Sequence, residues 1–434
     1  MTTKRGILLV AAVLLTCAVM QAGATGGGED LSMTVWIQKT FVPEANEALK
    51  ARFEEWGTKN GVKVSCEIQD NAVLMQKLAA AVEAKNPPDI CYTYQSKTTE
   101  YAAKGLIADV SDVIEQVEKD NGKMFDSGKR EVLFKGKAYA APLSINTYPM
   151  WYRKDLLAKA GFKEPPKTWD ELRVQAKAVT SAKDGIWGVG FGFGPTATDH
   201  KNMMNSVLWS YGGGIIKDDK VIADTPESIA AFKVIADIIA ESNNPDGVTG
   251  DDMYNNKAYL SGSTCFIMNL PSIAAALKRD APDVWANTGV APWPAGPKGR
   301  FSIIVGSAYM VFKKEKNVPA AKKLLGYVLE KAWYEKWIKA FAPLSMPVYA
   351  ALQNDPFFQN DPVNKAAMES VSTGYSEEYP SKSMTSIQAT LVNQMFANKV
   401  HSWMVTDKMT AEAAAKRFAD QCRKIVEDLK AQQK

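Results

Sequence analysis

The chain has 434 residues, 52 Lys and Arg against 48 Asp and Glu, and a net charge of +4. That near balance, with no basic block interleaved with aromatics, argues against a nucleic-acid partner, and 46% apolar residues exclude a disordered chain. The length exceeds one ordinary hydrophobic core, so two lobes are expected.

Lys4 and Arg5 precede an uncharged apolar run over residues 6–20, and Ala22-Gly23-Ala24 supplies a small-residue cleavage pattern. Residues 1–24 therefore read as an export signal. The run is shorter than the roughly 20 apolar residues a membrane span needs, and a retained anchor is the competing reading. Cys17 lies in Leu14-Leu15-Thr16-Cys17, which resembles a lipobox apart from Thr16. The expected location is the periplasm or the outer face of the cell membrane, with Cys17 as an alternative lipid anchor. Removing residues 1–24 takes away two basic residues and no acidic one, which leaves +2. Cys66, Cys91, Cys265 and Cys422 form no C-x-x-C and read as small apolar residues.

The exported part opens as strand, helix, strand, helix, strand. Residues 33–37 are a short apolar strand. Residues 43–56 place Ala45, Leu49, Phe53 and Trp56 on one helical stripe. Asn60-Gly61 turns the chain, and Val62, Val64, Cys66 and Ile68 alternate with polar neighbours as a strand does. A helix over 73–84 stops before Pro87-Pro88, and 89–94 is the third strand. Strands separated by helices imply a parallel sheet with right-handed crossovers. Ligands bind such sheets at the carboxyl ends of the strands, here the loops 36–41 and 94–98.

A second unit of the same kind is expected after Ser144-Ile145-Asn146-Thr147. Residues 151–160 read as a helix stopped by Gly161. Thr168 and Glu171 form a capping box for the next helix. From Gly188 to Gly194, glycine alternates with apolar residues, a strand with one bare face where something packs closely. This is no dinucleotide fingerprint, because Phe193 replaces the third glycine. Helices follow over 202–211 and 226–240, then a polar loop over 241–252, a strand over 265–269 and a strand over 301–312. The rest is mostly helical. The last helix places Ala411, Ala414, Phe418, Cys422, Ile425 and Leu429 at helical spacing.

Catalytic motifs are absent from the sequence. Asp218-Asp219 and Asp251-Asp252 sit beside Gly and Asn and read as solvated turn residues rather than a glycosidase pair. His200 and His401 form no H-E-x-x-H, and His200 reads as a surface residue. No G-x-S-x-G or P-loop occurs.

Several segments, in order, carry a resemblance. They are Lys77-Leu78-Ala79-Ala80-Ala81 leading to Asn86-Pro87-Pro88-Asp89-Ile90, then Ala102-Ala103-Lys104-Gly105-Leu106-Ile107-Ala108-Asp109-Val110. Phe134-Lys135-Gly136-Lys137-Ala138-Tyr139-Ala140-Ala141-Pro142-Leu143 follows, then Met150-Trp151-Tyr152-Arg153-Lys154-Asp155-Leu156 and Pro165-Pro166-Lys167-Thr168-Trp169. Trp209-Ser210-Tyr211-Gly212-Gly213 and Gly306-Ser307-Ala308-Tyr309 complete the set. Their number, order and spacing resemble family 1 of the extracellular solute-binding proteins of ABC importers, the group with the maltose- and multiple-sugar-binding proteins. The likeness runs over nearly the whole exported chain.

The resemblance implies an α/β, two-lobed periplasmic-binding-protein fold with a ligand cleft between the lobes and several hinge crossings. The expected division is lobe one over 31–144 and 308–344 and lobe two over 147–303 and 347–434, with crossings at 144–148, 302–308 and 342–348. It also implies a sugar or similar polyhydroxylated ligand, hinge closure, delivery to ABC permease subunits with an ATPase, a monomer, no cofactor and no metal. Alternatives are a receptor that reports ligand to a chemosensor or kinase, and a secreted carbohydrate-active enzyme.

Sugar sites combine aromatic faces with planar polar side chains. By position in the family pattern, the candidates from lobe one are Trp36, Gln38, Lys39, Tyr94 and Gln95. Asn146, Gly306 and Ser307 lie in the crossings. Trp209, Tyr211, Gly213, Asn269 and Trp293 approach from lobe two. Trp36 and Trp209 are as compatible with a core as with a cleft, and Trp151 and Trp169 read as core. Many relatives carry Asn-Gly-Pro-Trp, whose Trp stacks on sugar. Here the matching residues are Asn269-Leu270-Pro271-Ser272, so the platform is missing and a small or atypical ligand is expected.

Overall fold

A computed structural model describes residues 31–432 apart from 196 and 315. The expected export signal and Cys17 lie outside the described residues.

The first sheet is built as the alternation dictates. β1 (Ser32–Gln38) runs parallel to β2 (Lys63–Gln69) on one side and to β3 (Ile90–Thr93) on the other. The connecting helix Pro43–Asn60 starts on a proline, which needs no donor there, and stops at Gly61 with φ 64°, a conformation that favours glycine. It buries Ala45, Leu49, Phe53 and Trp56, the stripe legible in the sequence. The hairpin β4 (Leu133–Phe134) and β5 (Lys137–Ala138) precedes β6 (Ala141–Thr147). β6 joins the sheet only through a strand that arrives much later, β13 (Ile304–Val311), antiparallel to both β3 and β6. The order is therefore β2-β1-β3-β13-β6.

The second sheet departs from the expected repeat of the parallel unit. Trp151 lies in a strand, β7 (Met150–Arg153), and the helix that follows it is short, Lys154–Lys159. β7 pairs antiparallel with both β11 (Thr264–Met268) and β12 (Thr288–Ala291). Only β8 (Trp187–Val189) is parallel to β11, giving the order β12-β7-β11-β8. Between β8 and β11 lies a two-stranded hairpin, β9 (Ile216–Lys217) and β10 (Lys220–Val221), turned by Asp218 and Asp219 at positive φ. The bare glycine face is filled by the chain itself. A Cβ on Gly188 would lie 2.2 Å from the Ala176 carbonyl oxygen, and one on Gly194 would lie 2.8 Å from that of Gly250. Thr168 caps the helix Trp169–Val179 by accepting from Glu171 N at 3.1 Å. Glu171 reaches back to the Lys167 amide at 2.7 Å rather than to that of Thr168.

Each sheet has its own core. The chain leaves the first core after Ile145 and enters the second at Tyr148. It returns between Ile303, in the second core, and Ile304, in the first. The third transfer differs from the expected 342–348. Met346, Val348, Tyr349, Leu352, Phe358, Ala367, Met368 and Val371 all pack in the first core. The backbone of Met346 bridges Ile145, and buried Tyr334 ties this return, donating to Leu143 O at 2.8 Å and accepting from Val348 N at 2.9 Å. The chain rejoins the second core after the helix Pro362–Thr373, where Ile387 and Leu391 belong to it. The final helix Ala411–Gln432 buries Ala414, Phe418 and Cys422 there. Cys66, Cys91, Cys265 and Cys422 are free thiols, and burial pushes Cys265 and Cys422 up to about 12.

Candidate functional site

The carboxyl ends of β1 and β3 form the first wall of the seam between the lobes. After β1, Thr40 is fixed by Asn46, whose Oδ1 accepts from Thr40 Oγ1 at 2.7 Å and whose Nδ2 donates to Thr40 O at 3.1 Å. Gln38, Thr40, Asn46, Tyr92, Ser144 and Ser307 line a cavity of about 20 Å³, close to the space of one water molecule. After β3, half-buried Tyr94 leads into the helix Gln95–Ala103, which starts with Gln95 buried. Asn146 on β6 is half-buried and accepts from Ser345 Oγ. The Gly306 amide donates to Glu131 Oε2 at 2.7 Å. Gly306 is tightly covered, for a Cβ there would lie 2.7 Å from Glu131 Cγ.

The opposing wall comes from the segment that follows the helix Pro362–Thr373. Gln95 Nε2 donates to Glu378 Oε2 at 2.7 Å, and Arg130 Nε lies 3.6 Å from Glu378 Oε1. Ser96 Oγ donates to Asn393 Oδ1 at 2.9 Å. Lys201 pairs with Glu377 at 2.5 Å. Several buried polar atoms gather at this seam: Gln95 Oε1, Glu131 Oε1, Ser376 Oγ and Asn393 Nδ2. Ser376 stands beside the Glu131 carboxyl and favours its charged form, which leaves Gln95 Oε1 and Asn393 Nδ2 as the groups at this seam whose hydrogen-bonding capacity other protein groups do not use. Burial, reinforced by the charge of Glu378, raises the Glu131 carboxyl to about 8. Burial also raises that of Glu378, and the Gln95 hydrogen bond opposes it.

A second polar network lies in lobe two beneath the crossing. Asn255 Nδ2 donates to Asp199 Oδ2 at 2.8 Å, and Asn269 Nδ2 donates to Asn255 Oδ1 at 3.1 Å. Asp252 caps the helix Thr198–Tyr211, accepting from Thr198 Oγ1 at 2.5 Å and Asp199 N at 3.0 Å. Asp252 is thus more than a turn residue. Burial, with the charge of Asp252 added, raises the Asp199 carboxyl to about 8.

The predicted residues divide by lobe. Gln38, Tyr94, Gln95, Asn146, Gly306 and Ser307 gather on the first wall. Lys39 sits at its edge, largely exposed, 3.6 Å from Asp70. Trp36 is buried, with Lys77 Nζ 4.2 Å from its ring centre, so it offers no open platform. From lobe two, Trp209 is buried against Tyr379 and Tyr375, with ring centres 5.4 and 6.3 Å away. Tyr211 packs at the margin of the second core. Gly213 faces Ser228, whose Oγ would lie 2.5 Å from an added Cβ, so its role is close packing. Asn269 is spent on Asn255 and Asn256. Trp293 is fully buried, 5.9 Å from Trp169, and belongs to the core rather than the cleft. His200 is buried rather than exposed. Its Nε2 meets His401 Nδ1 at 2.9 Å.

The residues the sequence reading missed are Glu131, Lys201, Tyr375, Glu377, Glu378 and Tyr379. A signal existed: Tyr375-Ser376-Glu377-Glu378-Tyr379-Pro380 interleaves aromatics and carboxylates in a helix-free stretch. Among the described residues no group of three or more His, Cys, Asp or Glu is placed to hold a metal, and no helix is long and apolar enough to cross a membrane.

Residues 40–335 match the profile of a family described as bacterial extracellular solute-binding protein. The diacetylchitobiose binding protein DasA of Streptomyces coelicolor is 28% identical over 363 residues, 82% of this chain and 81% of its own. The maltodextrin-binding protein MdxE of Bacillus subtilis is 26% identical over 350 residues, 77% of this chain and 76% of its own. A solute binding protein of Thermotoga lettingae, solved with α-D-tagatose, superposes with a TM-score of 0.76 at 22% identity, over 91% of this chain and 100% of its own.

Proposed function

The chain belongs to the bacterial extracellular solute-binding proteins, and from that premise we propose that it captures a sugar or similar small polyhydroxylated solute by closure of its lobes and delivers it to the permease and ATPase subunits of an ABC importer. The observation that carries this reading is the seam itself. Polar side chains from both lobes meet there, with donors and acceptors left over. The relatives named for diacetylchitobiose and maltodextrin supply the ligand class. We read the chain as a receptor rather than an enzyme, acting at the outer face of the cell membrane.

The mechanism is a shift of population. A ligand that touches both walls gains contacts only in the closed form and so favours it. The first wall supplies Gln38, Tyr94, Gln95 and Asn146. The second supplies Tyr375, Glu377 and Glu378. By the family resemblance Ser272 takes the place of a stacking Trp, and the rings of Trp209, Phe301, Tyr375 and Tyr379 pack largely on one another. Both features favour a small ligand over a long oligosaccharide.

The test is a thermal-shift screen of the chain without residues 1–24 against monosaccharides, disaccharides, oligosaccharides and polyols. A ligand that binds only the folded state raises the melting temperature by mass action. A carbohydrate that raises it and is recovered unchanged is the expected result. Consumption of the ligand would overturn the receptor reading, and no shift from any carbohydrate would overturn the ligand class.

A further inference from the structure

The seam brings three carboxylates together with two cations. Glu131 comes from the first lobe, on the residue after Arg130, and Glu377 and Glu378 come from the second. Lys201 pairs with Glu377, and Arg130 reaches Glu378 at 3.6 Å while remaining partly exposed. That leaves Glu131, 3% exposed, with no cation paired to it among the described residues: one oxygen accepts from the Gly306 amide, and the Ser376 hydroxyl is the other neutral donor beside the carboxyl. The other groups facing the cluster are the phenols of Tyr92 and Tyr94 and the neutral Gln95, Ser376 and Asn393. On the adjoining helix, Lys97 and Lys104 are paired with Glu100. The closed seam is therefore one positive charge short of neutrality.

A buried uncompensated charge is expensive, and a carboxyl group avoids it by keeping its proton. We propose that Glu131 and Glu378 form an interlobe latch that takes up a proton when the lobes close, so that closure is favoured at mildly acidic pH and opposed at alkaline pH. The proposal rests on the reading of a hinged two-lobed receptor, not on the identity of its ligand. Separating the lobes exposes both carboxyls to water and removes each from the other's field, returning them to the ordinary carboxylate range. The closed form then binds the extra proton. The sign follows: the advantage of closure is complete below the ordinary range and is lost as pH rises to about 8, the value for Glu131 in the closed seam.

The experiment needs no ligand. Dyes on Glu83→Cys, in lobe one, and Glu227→Cys, in lobe two, report closure by energy transfer, and small-angle X-ray scattering checks the change in shape. Between pH 5 and 8 the ratio of closed to open molecules is expected to fall by up to about tenfold per pH unit, the limit for one proton. Glu131→Gln and Glu378→Gln each supply a neutral group of the same shape and are expected to flatten that dependence with the closed form retained at pH 8. Far-ultraviolet circular dichroism and the unfolding midpoint establish that each variant is folded. If Glu131→Gln fails to fold, Glu378→Gln carries the test. A ratio independent of pH in the native chain, or an unchanged slope in the folded variants, overturns the latch. Carbohydrate binding in the thermal-shift screen would stand in either case.

Discussion

Gln95 of the first lobe donates from Nε2 to Oε2 of Glu378 in the second lobe at 2.7 Å, with both side chains buried. These residues are 283 positions apart, and their contact exists only with the lobes together. Hydrogen bonds to charged groups contribute about 1.5–3 kcal/mol, and loss of one partner strands the other. Gln95→Ala is therefore expected to lower the closed-to-open ratio at least about tenfold. The interlobe energy-transfer assay reads this directly. An unchanged ratio would mean that the bond contributes nothing to closure.

Asn146 stands half-buried on the first wall with its Oδ1 accepting from Ser345, and its Nδ2 is the donor it would offer to a ligand hydroxyl. Asn146→Ala is expected to weaken binding about tenfold, the loss of roughly one hydrogen bond of 1.4 kcal/mol, with the unfolding midpoint little changed. Calorimetric titration with the best carbohydrate from the thermal-shift screen measures it. Full affinity in the variant would remove Asn146 from the site.

Trp293 makes the opposite case. It is fully buried on Trp169, and Trp169 Nε1 donates to Ser210 Oγ at 3.1 Å. Trp293→Ala opens a large hole in the second core and is expected to cost about 3–5 kcal/mol. Urea unfolding is the measurement. A variant with native stability and lost ligand affinity would return Trp293 to the cleft.

His200 and His401 are buried together among Phe191, Phe193 and Phe232, and His401 Nε2 meets Phe232 O at 3.0 Å. Burial lowers both rings, His401 to about 4 and His200 well below its ordinary 6.5. Their folded forms are neutral while the unfolded chain protonates them below about 6.5, so this pair lowers stability as pH falls from 6.5 toward 4. Asp199 and Glu131 act with the other sign, since their raised carboxyls lose stability as pH rises to about 8. The pair is isolated by comparing the native chain with His200→Gln/His401→Gln in urea at pH 7, 6 and 5. Each ring is expected to contribute up to about 1.4 kcal/mol per pH unit below 6.5. Parallel pH dependences in the two chains would contradict the assignment.

Local chemistry made much of the fold legible. Leu49, Phe53 and Trp56 share a stripe because a helix repeats every 3.6 residues. Val64, Cys66 and Ile68 alternate because a strand repeats every two. Thr168 and Glu171 mark a helix start because orphan amides need acceptors within one turn. These signals need no distant partner, and the elements they mark are present. The run 151–160 is too short for its period to separate helix from strand, and the strand at Trp151 is specified by pairing with Ile267 and Val290.

Of the candidate site, the sequence pointed to residues of the first wall and not to those of the second. Gln95 follows β3, a strand whose direction the β-α-β pattern predicts, so the topology itself points to it, whereas Asn146 lies within β6 and is placed only by the family resemblance. The opposing wall comes from an irregular segment with no period to read, and its carboxylates acquire meaning only when folding sets Glu378 against Gln95 and Glu131. The sequence alone determined the elements with a clear period or cap, the alternation of the first lobe and a size that needs two cores. The tertiary structure alone decided where the chain rejoins the second core, that His200 meets His401 from 201 residues away, and which polar groups face each other across the seam. The physical reason is range: propensity, capping and periodicity act within a few residues, whereas burial and charge pairing act between any residues the folded chain brings into contact.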